Sequence, residues 1–178
     1  MATGIKTNNN YIGVDPSGEQ LTSIADLFEK ESKSLGFVTT TRMTHATPAA
    51  FFSNNISRGN YTEIGQQMLD EGELDLMMGG MDLSDFAVLD FTNLGFTVLE
   101  DRIDTLSFNL DQDFKDAKLS GLYGITAHMS YFYDSDITEP SLKDMVKVAL
   151  NFLDDNPNGF FLLVEGGRID HAGHANDE

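Results

Sequence analysis

The chain has 178 residues, with 29 Asp and Glu against 11 Lys and Arg, for a net charge of −18. That length is one domain with room for an extension, and 40% hydrophobic content with 13 Phe and 5 Tyr excludes a disordered acidic tail. So acidic a surface argues against nucleic acid and anionic lipid as partners, and a small anionic substrate would need Arg or bound metal to offset the field. Cysteine is absent, which excludes disulfides, thiolate ligands and a Cys nucleophile. No apolar run approaches the roughly 18 residues of a membrane span, and Met1 to Asn10 lacks the regions of a signal peptide.

Taken in chain order, Leu21, Ile24, Leu27 and Phe28 share a helical face, and that helix is expected to end near Gly36. Phe37 to Thr41 is β-branched and short, and reads as a buried strand. Pro48 suits the first turn of a helix through Phe52. Ile64, Met68 and Leu69 mark another helix, closed by Gly72, and Leu74 to Met78 a strand stopped by Gly79-Gly80. From Asp82 to Asp136 the period is weak, with Phe96 to Leu99 and Leu122 to Ile125 as short strand candidates. Pro140 opens a helix carrying Leu142, Met145, Val146, Ala149 and Leu150 on one face. After a turn at Asn156 to Gly159, Phe160 to Val164 is the most hydrophobic strand, followed by a glycine-rich polar loop. The alternation predicts an α/β fold with a mostly parallel sheet, its strands buried on both faces.

Sites in such sheets gather beyond the carboxyl ends of strands. Two ends are chemically loaded: Thr41 to Pro48, leading to Arg58, and Glu165 to His174. Glu165, Asp170 and His174 offer the ligand mix of a catalytic zinc site, alone or beside a harder, oxygen-ligated ion. Asp170 and His174 stand at i and i+4, so one helix face could bring both to one ion. The competing reading is a solvated polar surface. Arg58 is either a surface ion pair or a bidentate phosphate contact, and spacing alone leaves both open. Lone His128 reads as structural or surface, and Met77-Met78 as core. Ala2 to Thr7 lacks the Gly-Lys pair of a phosphate loop.

Together these segments resemble the alkaline phosphatase family. Val164-Glu165-Gly166-Gly167-Arg168-Ile169-Asp170-His171-Ala172-Gly173-His174 is close to that family's second metal-binding signature. Thr39 to Ala50 resembles another family block, with Ser57-Arg58 at the family's distance from Thr47. Ala2 to Thr7, Ile12 to Asp15, and Met78-Gly79-Gly80 match weaker, mainly structural segments. The resemblance implies that Thr47 and Glu165 ligate magnesium, with His45 beside it through water. It implies that Asp170 and His174 bind one of two zinc ions, that Arg58 holds the substrate phosphate, and that His171 tunes metal and phosphate affinity. The implied activity is metal-dependent hydrolysis of small phosphomonoesters through a phosphoserine, in a periplasmic or extracellular homodimer. The Glu165 to His174 block and Thr47 argue against a sulfatase or other metallo-phosphoesterase of the same superfamily.

The departures are specific. The family's nucleophilic serine, in an Asp-Ser-Ala context, belongs upstream of Ala2, as does an Asp that bridges magnesium and zinc. Its later Asp-His pair and further His belong beyond Glu178. Residues 1–178 are therefore expected to be the central portion of a single, incomplete domain. One zinc site keeps two of three protein ligands, the magnesium site two of three, and the second zinc site none. The chain alone is expected to lack turnover, leaving a non-catalytic metal- or phosphate-binding segment as the alternative.

Overall fold

The computed structural model describes residues 1–70, 74–82, 84–86, 88–108, 117–123, 128–131 and 138–176. Strands β1 (Ser34–Arg42), β2 (Leu76–Gly80), β3 (Phe96–Leu99), β4 (Lys118–Tyr123) and β5 (Phe160–Glu165) form one sheet in the order β3-β4-β2-β1-β5. Every pairing is parallel. The helices are α1 (Ile24–Glu29), α2 (Ala46–Phe52), α3 (Tyr61–Asp70), α4 (Val88–Asn93), α5 (Arg102–Ser107), α6 (Leu142–Leu153) and α7 (Arg168–Ala175).

Strand periodicity divides the core. Leu35, Phe37, Met77 and Leu122 point to the face that also buries Ala25, Ala49, Phe52, Ile64, Met68 and Phe91. Val38, Leu76, Met78, Leu119 and Tyr123 point the other way, onto Met145, Val148, Ala149 and Phe152. Helices α1 to α4 thus cover one face and α6 the other. This is the expected α/β arrangement, and no described helix is long and apolar enough to cross a membrane.

Several expectations shift. Helix α1 is shorter than its apolar pattern suggests, starting from a Ser23–Asp26 capping box and ending before Gly36. It buries Ala25 and packs Phe28 on the core but leaves Ile24 and Leu27 41% and 54% exposed, so only part of the stripe read from Leu21 faces inward. Gly36 lies inside β1, where a Cβ would sit 3.0 Å from Leu76 Cβ and 3.1 Å from Leu153 Cδ1; close packing against β2 and α6 leaves little room for a side chain there. Gly79 and Gly80 continue β2 rather than stopping it. Gly72, Gly124 and Ile125 lie outside the described residues. Helix α6 starts from a Ser141–Asp144 capping box and buries Met145 and Ala149, while Leu150 is exposed.

The largest correction concerns β5. It is apolar enough for a central strand, yet it lies at the sheet edge with its side chains half-buried and Val164 exposed. The segment after it, read as a polar loop, is helix α7, which buries none of its residues.

Candidate functional site

Parallel pairing brings the two loaded segments to one end of the sheet. Thr39 on β1 pairs with Glu165, the last residue of β5, so β5 ends beside the carboxyl-terminal part of β1, which continues to Arg42. Glu165 Oε2 accepts hydrogen bonds from the Thr39 hydroxyl (2.6 Å) and the Thr41 hydroxyl (3.2 Å). Those two hydroxyls are 2.8 Å apart. A Cβ at Gly167 would overlap the Thr41 methyl and stand 3.1 Å from Glu165 Cδ. Glycine there lets the backbone cross over the Glu165 carboxylate.

His45 stands at the N-cap position of α2 without a side-chain capping bond, and Thr47 stands two residues on, half-buried in the first helical turn. Arg58 Nη2 lies 3.0 Å from His45 Nε2. Its own backbone N–H donates to Asn10 O at 2.7 Å, while Ile12 pairs with Asn55. The N-terminal segment, read as mainly structural, therefore anchors the Arg58 loop. Among the described residues Arg58 makes no carboxylate ion pair. Asn55, within a glycosylation sequon, is buried and accepts from Ser57 N–H and the Asn60 amide.

Asp170 and His174 meet on one face of α7, with Asp170 Oδ2 3.6 Å from His174 Nε2 and side chains 75% and 82% exposed. Two ligands about 2.05 Å from a tetrahedral zinc stand about 3.4 Å apart, so this oxygen–nitrogen pair fits part of such a shell. Both exposed side chains are open to further ligands. Among the described residues no three His, Asp or Glu side chains form a complete cation cage.

His128 is the site residue that sequence reasoning missed. Its ring stands 4.7 Å from that of His171 and 5.6 Å from that of His45, while His45 and His171 are also 5.6 Å apart. The three rings are close to mutually perpendicular, at 77° to 86°. His128 Nδ1 accepts the Arg42 backbone N–H at 2.9 Å. Its position beyond β4 was the available signal, because strand ends in this sheet supply the site.

Three of the four arginines back this cluster. Arg58 faces His45, and Arg168 Nη1 lies 2.9 Å from His171 Nδ1 while its guanidinium stacks on Tyr131. Arg42 stacks on Tyr61 and pairs with Asp82 and Asp85; Asp85 also accepts the Thr44 hydroxyl at 2.6 Å. Burial pushes the Asp85 carboxyl up. Two backbone and side-chain hydrogen bonds from Ser84 hold Asp82 down.

Burial lowers His45, helped by the Arg58 charge. It lowers His128 from 6.5 to about 4, helped by His171 and His45. An unfolded His128 gains its proton near pH 6.5, whereas the folded one stays neutral until about pH 4. The unfolded state binds more protons across that window, so folding stability present above it falls as pH drops. For this half-buried ring, solvent screening trims the expected loss to about 1–2 kcal/mol. Urea unfolding at about pH 7.5 and pH 4.5 checks it. The acid-induced loss should be smaller in His128→Phe, which lacks the titrating ring; an equal loss in both chains would contradict the assignment.

Comparison with known proteins places the chain in a family. The alkaline phosphatase family profile matches residues 1–90 and 79–178. Alkaline phosphatase 3 of Bacillus subtilis (strain 168) is 36% identical over 187 residues, covering 99% of this chain and 39% of the relative. The tissue-nonspecific isozyme of Rattus norvegicus is 30% identical, covering 96% and 42%. Among solved structures, the cold-active alkaline phosphatase from a Shewanella species superposes with a TM-score of 0.85 at 32% identity, covering 98% of this chain and 42% of that one. The Thermus thermophilus enzyme gives 0.86 at 31%, covering 99% and 38%. A TAB5 alkaline phosphatase mutant, with Mg bound in its M3 site, gives 0.80 at 27%, covering 99% and 51%. The chain thus spans about two-fifths of the length of the curated relatives it matches. With both loaded segments at one sheet end and matches running through the whole chain, it belongs to the alkaline phosphatase family, whose members are metal-dependent phosphoric monoester hydrolases.

Proposed function

We propose that this chain supplies the magnesium side, one zinc face and the phosphate-holding arginine of an alkaline phosphatase that hydrolyses small phosphomonoesters. The observation that carries the reading is the meeting of Glu165, His45, Arg58 and His171 at one end of the β1–β5 pair. Glu165 and Thr47 would hold magnesium, with His45 beside it, and Asp170 and His174 would hold zinc. When bound, these ions supply Lewis acidity and an activated nucleophile to in-line phosphoryl transfer.

The chain's own residues do the positioning. The Thr39 and Thr41 hydroxyls orient the Glu165 carboxylate by hydrogen bonding to one of its oxygens. Arg58 presents a fork for two oxygens of the phosphoryl group, and that charge matters most where the phosphoryl becomes trigonal. Its approach to His45 Nε2 limits how the guanidinium can swing. In a chain of −18 charge, Arg58 and the ions together reverse the field a phosphate dianion would meet. A periplasmic or extracellular location and a homodimer belong to the same reading.

The 178-residue sequence contains no Asp-Ser-Ala tripeptide, so we infer that this chain alone binds metal and phosphate without turnover. An aryl phosphate assay with zinc and magnesium tests this. The expected result is no metal-dependent rate above a Glu165→Ala control; a clear excess over that control would show that the chain carries its own nucleophile.

A further inference from the structure

The three-imidazole cluster has a directional property that follows from its hydrogen bonds. A guanidinium can only donate, so His45 Nε2 is the acceptor in its 3.0 Å contact with Arg58. The proton of a neutral His45 ring then sits on Nδ1, which is buried with no hydrogen-bond partner among the described residues. By the same reasoning His171 Nδ1 accepts from Arg168, and its ring proton lies on Nε2. His128 Nδ1 accepts the Arg42 amide, so it too carries its proton on Nε2. Each ring has given one lone pair to an arginine's N–H and keeps one N–H to donate. Neutral rings arranged in this way match an anionic oxygen better than a cation, which needs the lone pairs.

Of the three, His128 has the most firmly held frame. Its acceptor bond is to backbone, and the Arg42 that supplies it is fixed by Asp82, Asp85 and the Tyr61 ring. The next residue is tied to the same strand, with Met129 N–H donating to Thr40 O at 3.3 Å. Its ring is also nearer to His171 than any other pair in the cluster. A ring held by backbone and packed edge-on against two others is suited to orienting them.

We propose that His128 is a positioning residue of the phosphate-binding end, setting the ring orientation of His171 and through it the affinity of the Arg58 site for phosphate. This rests on the reading that Arg58 holds phosphate. His128 acts with or without bound metal, because each contact that defines it is made by protein atoms.

The test uses the 178-residue chain with a chelator present and inorganic phosphate as the probe. Long-range proton–nitrogen spectra of the imidazoles at about pH 8 report tautomers and phosphate binding together. His45 is expected as the Nδ1–H form, and His128 and His171 as Nε2–H forms. His128→Phe keeps a flat ring and removes both nitrogens. It should weaken phosphate binding about fivefold, the worth of one hydrogen bond of about 1 kcal/mol, and, by letting the His171 ring turn out of its 2.9 Å contact with Arg168 Nη1, mix the His171 tautomers. His128→Asn, whose Oδ1 can take the Arg42 amide, should restore part of both. Loss of binding in Arg58→Ala, with affinity and His171 tautomer unchanged in His128→Phe, overturns this proposal and leaves the Arg58 reading standing. Unchanged binding in Arg58→Ala, or no phosphate response in the unsubstituted chain up to about 10 mM, overturns both. Amide spectra of each variant establish that it is folded, and recovery in His128→Asn separates positioning from general loosening.

Discussion

Arg42→Met is expected to destabilise the chain by about 3–5 kcal/mol, the cost of leaving a buried carboxylate without its partner. The Asp85 side chain is 1% exposed and that of Arg42 11%, so water cannot replace the lost charge. Arg42 Nε lies 2.8 Å from Asp85 Oδ2, Nη2 reaches Asp82, and the guanidinium plane stacks 3.9 Å from the Tyr61 centroid. The pair itself is not a large net source of stability, because burying both ions costs nearly what their attraction returns. Removing one ion alone is what is costly. Adding Asp85→Asn to Arg42→Met should therefore recover at least half of the loss, since the amide oxygen still accepts the Thr44 hydroxyl. Urea midpoints of the two single variants and the double variant measure this, and a double variant no more stable than Arg42→Met would contradict it.

Phe37→Ala is expected to cost a similar amount, about 3–5 kcal/mol. Phe37 is fully buried on β1, and its ring stacks on Phe52 with centroids 5.5 Å apart. Phe52 in turn contacts Phe51 and Phe161, so the cluster joins β1, α2 and β5. The consequence reaches the site because α2 begins at Ala46 and carries Thr47 in its first turn. A cavity at Phe37 loosens the helix that fixes Thr47 relative to Glu165. Phe37→Leu, which retains much of the volume, should cost about 1–1.5 kcal/mol. Thermal and urea unfolding of both variants check the order, and equal losses would point to a collapse of the cavity.

The fold was legible where one local signal dominated. Strand β1 has its β-branched run, α6 its Pro140 start and apolar face, and the Asn156–Gly159 turn places Gly159 at φ +84°. The misreadings arose where tertiary context overrode local pattern. Gly36 and Gly79 resemble stop signals, yet close packing between layers places them within strands. β5 has a central strand's composition because its side chains meet the Phe28–Phe51–Phe52 cluster, although no strand flanks it on the outer side among the described residues. For the candidate site, the contiguous Glu165 to His174 block was readable because its residues are neighbours in sequence. His128 was not, since its 83-residue separation from His45 is closed only by the register of β1, β2 and β4. Sequence spacing carries no trace of that closure.

The position of β5 also bears on how the chain behaves as a colloid. One flank of Phe160–Glu165 has no neighbouring strand among the described residues, and its apolar side chains are only half covered. Such an edge can nucleate sheet growth between molecules. What opposes it is mutual repulsion between chains of −18 charge, a force that fades over about 8 Å at physiological salt. Raising the ionic strength thus weakens the repulsion between copies, and divalent cations, by neutralising carboxylates, would weaken it further.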